Sequence, residues 1–176
     1  MSYVRLGLIL SVLIQLGACS SAWEATQKAG QVIWDPDTPV GAPKNLPTQV
    51  TYSMVGDHVL NPNVSGDSTP VVYQVFLLED DSLFMAADFD TLIEDHKKAL
   101  GSNYIKHSDY IIFPDQFKFI EPLKLKPDTQ YIGVMAQYSD PNMAQWKKVV
   151  KVKPIGREYH LLMFFTEHEL KLEIVE

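Results

Sequence analysis

The chain has 176 residues, 46% of them hydrophobic, and a formal net charge of −7. It is long enough to bury one substantial core and too acidic to offer the basic face that nucleic acid requires. Its single cysteine, Cys19, excludes an internal disulfide framework and a CxxC metal site.

The first residues read as an export signal. Arg5 supplies a positive start, Leu6 to Leu16 an apolar run, and Leu16-Gly17-Ala18-Cys19 a lipobox in which small residues precede the modifiable thiol. Spanning a bilayer takes about 20 apolar residues, and this run turns polar by Ser20 and Ser21. A signal peptide over residues 1–18 is therefore expected, with lipid attached through Cys19. Several acyl chains on one cysteine hold far better than one, since each buried methylene contributes about 0.8 kcal/mol. Ser20 rather than aspartate follows the cysteine, which points to the outer membrane.

Residues 19–48 are expected to form a lipidated N-terminus and a tether. Pro36, Pro39, Pro43 and Pro47 recur every three or four residues, a spacing that disfavours helix and favours extended backbone. From residue 49 to 176 the period changes to two. Strands are expected at Val50–Met54, Val71–Leu78, Tyr104–Phe113, Phe117–Leu125, Gln130–Tyr138, Trp146–Val152, Tyr159–Phe165 and Leu170–Val175. Turn formers separate them, among them Pro114-Asp115-Gln116 and Ser139-Asp140-Pro141-Asn142. About eight short strands with few helices between them imply a mostly β, antiparallel β-sandwich. The exception is a small helical insertion after the second strand. Ser82 is expected to cap a turn through Ala87, and Asp90 a helix carrying Leu92, Ile93 and Leu100 that stops at Gly101. Glu79-Asp80-Asp81 reads as a solvated turn, lacking the alternate ligands and glycine of a calcium loop.

Catalytic signatures are missing. None of His58, His96, His107, His160 and His168 forms HExxH or a close pair in sequence, and each reads as a surface histidine. On a strand, Glu167-His168-Glu169 would alternate faces and could not converge on an ion. No GxSxG, Walker-type loop or GxGxxG occurs. The expectation is no enzyme, no metal and no cofactor beyond covalent lipid on Cys19.

One segment stands out. The link between the first two strands includes Val59-Leu60-Asn61-Pro62-Asn63-Val64-Ser65-Gly66-Asp67-Ser68 and is long, since loops beyond about 12 residues tend to be functional or disordered. Val59, Leu60 and Val64 are expected to ride exposed on a segment too polar for core, as a protein-binding loop on a rigid sandwich. A competing expectation is a small-ligand or enzyme-inhibitory lipoprotein with a pocket lined by Tyr131, Met135 and Trp146. Ordinary core is the simpler account of those three.

Three stretches, with the lipobox, carry a resemblance to a known family. They are LNPNVSGDSTPVVYQVFLL (Leu60 to Leu78), SLFMAADFDTLIED (Ser82 to Asp95) and LKPDTQYIGVMAQYSDPNMAQWK (Leu125 to Lys147). Together they resemble the TssJ (SciN-type) outer-membrane lipoproteins of bacterial type VI secretion systems. Tyr73-Gln74 departs from the Val-Arg that many relatives carry after the Pro-Val-Val step, and the tether is long. The resemblance implies a transthyretin-like sandwich tethered to the outer membrane and facing the periplasm. It further implies binding to the periplasmic C-terminal domain of the inner-membrane protein TssM, with TssL nearby, and contact through Val59 to Ser68.

Overall fold

The computed structural model describes residues 45–176; the signal peptide, Cys19 and most of the expected tether lie outside the described residues. Eight strands form two four-stranded sheets: β1 (Gln49–Gly56), β2 (Val71–Leu78), β3 (Tyr104–Ile112), β4 (Phe117–Lys124), β5 (Tyr131–Gln137), β6 (Lys147–Lys151), β7 (Glu158–Phe165) and β8 (Leu170–Val175). Every expected strand is present. One sheet runs β4-β1-β7-β8 and the other β3-β2-β5-β6. All pairs are antiparallel except β1 with β7. That pair departs from the antiparallel expectation because a parallel pair needs a long crossover, here everything from β2 to β6, which period-two patterning does not reveal.

Residues 46–48, part of the expected tether, are hydrogen-bonded into the sandwich. The Thr48 amide donates to the Pro154 carbonyl at 2.8 Å, and Gly156 donates to that of Leu46 at 2.8 Å.

Between the sheets, Val50, Tyr52 and Met54 of β1 meet Tyr73, Val75 and Leu77 of β2 and Leu161 and Met163 of β7, all buried. A second core lies outside the β3-β2-β5-β6 sheet, where Phe76, Leu78 and Met135 meet Phe84, Leu92 and Leu100 of the helical insertion. Burial on both faces explains the unbroken apolar run Val75-Phe76-Leu77-Leu78 in the second half of β2. Gly133 makes the docking possible, since a Cβ there would press on the Phe84 ring at 3.0 Å.

The insertion comprises α1 (Ser82–Ala86) and α2 (Phe89–Leu100). The expected caps are each displaced. Asp81 occupies the N-cap of α1 without a side-chain bond, while Ser82 bonds back to Asp80. Asp88, not Asp90, caps α2, accepting from the Thr91 amide at 2.8 Å. Phe89 packs edge-on against Trp146 at 5.1 Å, which starts the helix before Asp90 can serve. Leu92 and Leu100 are buried, but Ile93 is exposed, about 100° further round the helix. The backbone breaks inside α2 at Asp95 (φ −153°, ψ 77°), whose carboxylate accepts from the Lys98 amide at 3.0 Å and caps the second half. Gly101, at φ +50°, ends the helix.

Candidate partner-binding loop

The link after β1 has a stem and a tip. In the stem, the Ser68 hydroxyl donates to the His58 carbonyl at 2.8 Å, and the Thr69 amide to that of Leu60 at 2.9 Å. Asn61, buried and left-handed at φ +45°, is the anchor. Its side-chain amide donates to Thr69 Oγ1 at 2.9 Å and to the Pro70 carbonyl at 3.2 Å. Its Oδ1 accepts from the Ser139 amide at 2.6 Å, 78 residues away. In the tip, Asn63 Oδ1 accepts from the amides of Ser65 and Asp67 at 2.9 and 3.0 Å. Gly66, at φ +86°, closes the turn.

This geometry corrects one expectation. Leu60 is fully buried in the inter-sheet core, whereas Val59 is exposed and Val64 wholly so. The polar neighbours that make Leu60 look exposed are the groups that pin the stem. Truncating Leu60 would open a cavity costing about 2–5 kcal/mol, so Val64 is the residue that separates surface from fold.

The stem also joins the β3–β4 corner. His58 Nδ1 lies 2.9 Å from Asp115 Oδ2, and this carboxylate, by hydrogen bond and then by charge, raises the imidazole above its ordinary pKa. The Asp115 amide donates to the Asp57 carbonyl at 3.3 Å. Gly56 permits the approach, because a Cβ there would collide with the Phe113 carbonyl.

Position matters as much as contacts. The chain joins the sandwich at residues 46–48, beside the start of β1, and the loop leaves from the end of β1. Eight extended residues separate the two points, about 25 Å at roughly 3.3 Å per residue. The loop thus leaves from the end of β1 opposite the one where residues 46–48 pair.

The remaining site candidates resolve differently. Met135 is sealed beneath the helices, and Tyr131 and Trp146 are half-buried beside them, so the three contribute packing there. The histidines are not all superficial. His96 and His107, eleven residues apart in sequence, lie with ring centroids 4.2 Å apart, and His107 Nδ1 sits 2.8 Å from the Tyr104 hydroxyl. Desolvation, then the neighbouring His107, lowers the His96 pKa. Glu167 and His168 lie in the β7–β8 turn rather than on a strand, with His168 Nε2 3.5 Å from Glu167. Among the described residues no three His, Cys, Asp or Glu side chains converge as metal ligands, and no helix is long and apolar enough to cross a membrane.

The described residues thus form a two-sheet scaffold whose first two strands are joined by a long loop braced through Asn61. The chain belongs to the type VI secretion lipoprotein family, described as VasD, EvfM, TssJ, whose pattern matches residues 48–173. It is similar to the T6SS lipoprotein TssJ1 from Pseudomonas aeruginosa, at 25% identity and a TM-score of 0.69 over 74% of this chain and 98% of that one. Serratia marcescens Lip, a membrane bound component of the type VI secretion system, shares the fold at 24% identity and a TM-score of 0.63, over 74% of this chain and 98% of that one. A chain in a structure described as the T6SS protein TssM C-terminal domain from EAEC shares it at 19% identity and a TM-score of 0.61, covering 72% of this chain and 98% of that one. No curated protein matches.

Proposed function

We propose that this lipoprotein is the outer-membrane anchor of a type VI secretion membrane complex. Acyl chains on Cys19 hold it in the outer membrane facing the periplasm. The proline-rich segment gives reach, and the loop from Val59 to Ser68 grips the periplasmic C-terminal domain of TssM, with TssL in the same assembly. The protein couples two membranes mechanically and makes or breaks no bond.

The observation that carries this reading is polar geometry: the loop projects from the end of β1, and the chain joins the sandwich at its start. The loop and the first described residues of the chain therefore lie at opposite ends of β1. The loop is also ready to bind, since its tip is organised by Asn63 and its exposed Val64 can enter an apolar pocket with little ordering cost. The test is titration of the mature chain, carrying Cys19→Ser to keep it lipid-free, against the periplasmic domain of the cognate TssM. Val64→Asp is expected to weaken binding about tenfold or more with an unchanged unfolding midpoint; equal affinity of the two proteins would refute the loop assignment.

A further inference from the structure

The outer face of the β4-β1-β7-β8 sheet carries an apolar cluster where a solvated sheet face is normally polar, with Thr51, His160, Lys171 and Glu173 on the same face around it. Register places Phe117 opposite Val55 and Phe119 opposite Ser53, and across β1 sets Val55 and Ser53 beside Phe164 and Leu162. The intervening positions on β1 and β7, Tyr52, Met54, Leu161 and Met163, are buried between the sheets, so this set faces out. Phe117 is 65% exposed and Phe119 56%. On β4, an edge strand, such aromatics are a liability that proteins usually blunt with charge.

The face is continuous with the loop. Phe117 starts β4 directly after the β3–β4 corner, and the His58–Asp115 contact ties that corner to the stem. Its border is acidic: Asp57 and Asp115 adjoin the loop end, and exposed Glu121 and Glu173 flank the strands. Of the cations nearby, Lys171 lies 6.0 Å over the Phe164 ring and 3.9 Å from Glu169, and Lys118 donates to the Ile111 carbonyl at 3.2 Å; the His160 ring stacks on Phe119 with its Nδ1 2.8 Å from Thr51 Oγ1. An aromatic centre with a carboxylate rim suits a protein surface of opposite sign and disfavours phospholipid phosphates.

We propose that this face is a second docking surface, continuous with the β1–β2 loop, for an apolar segment of the same partner flanked by basic side chains. It rests on the loop reading above and extends the interface along β4. In the lipid-free mature chain, Phe117→Ser with Phe119→Ser is compared with Val64→Asp in titrations against the TssM periplasmic domain. The expected result is a loss of about tenfold or more from the aromatic pair, with an unfolding midpoint no lower than that of the parent. Glu121→Lys with Glu173→Lys, which leaves the aromatics in place, is expected to slow association at low salt, an effect lost at high salt.

If Val64→Asp abolishes binding while both double variants match the parent, the face is overturned and the loop reading stands. Failure of the parent to bind overturns both. If the aromatic pair leaves TssM affinity intact but releases the chain from phosphatidylethanolamine vesicles, or dissociates a dimer seen by light scattering, the face belongs to a membrane or to a second copy and the proposal falls.

Discussion

Asn61 holds more of the loop than any apolar residue in it. One buried side chain ties Thr69, Pro70 and the distant Ser139 together, and its left-handed backbone is one that asparagine tolerates better than most. Asn61→Ala leaves the Ser139 amide without its acceptor and is expected to lower unfolding free energy by about 2 kcal/mol in urea titration. His58 carries a second, pH-dependent tie. Because Asp115 raises its pKa in the folded chain, the pair's contribution is complete below the unfolded histidine pKa and fades as pH rises through the folded value. In NMR titration His58 is expected to ionise above the ordinary histidine value, and Asp115→Asn to lower it towards that value. An unmoved His58 would show that the contact does not form in solution.

At the scale of elements, the helical insertion is attached by side chains distant in sequence. Lys147 on β6 donates to the carbonyls of Phe84, Met85 and Ala87 at 3.1, 2.7 and 2.6 Å, closing the open end of α1 as a cation at a helix C-terminus does. Desolvation lowers its pKa, opposed by Asp88. Lys147→Met is expected to destabilise the protein by about 2 kcal/mol and to expose the Ala87–Asp88 link to protease while the strands stay protected; uniform protection would mean that the apolar contacts suffice. This element also marks the limit of what patterning reveals. Its existence and its stop at Gly101 were legible, because candidate capping residues ahead of apolar positions and a helix-ending glycine are local signals. The cap at Asp88 was not, since Phe89 docking on Trp146 chooses between two equivalent aspartates. Nor was the break at Asp95, or the pairing of His96 with His107, which only the crossing of α2 over β3 brings about.

For the molecule as a whole, eight strands were readable from alternation, and the loop from its length. Alternation could not say that β1 pairs in parallel with β7, because register between distant strands is settled by packing. Leu60 was misplaced for a related reason: its neighbours are polar, yet they bond one another and leave it to the core. The Phe117-x-Phe119 repeat on an edge strand was an available signal for an exposed aromatic face, visible as period two beside inward-facing Ile120. Among the described residues, the chain enters the sandwich beside the start of β1 and the braced loop leaves from its end. The most direct test is the affinity of the lipid-free mature chain for the TssM periplasmic domain, before and after residues 62–67 are replaced by a short glycine link that keeps Asn61 and Ser68. Binding lost with the tip while the unfolding midpoint holds is the expected result; binding that survives its removal would contradict the account.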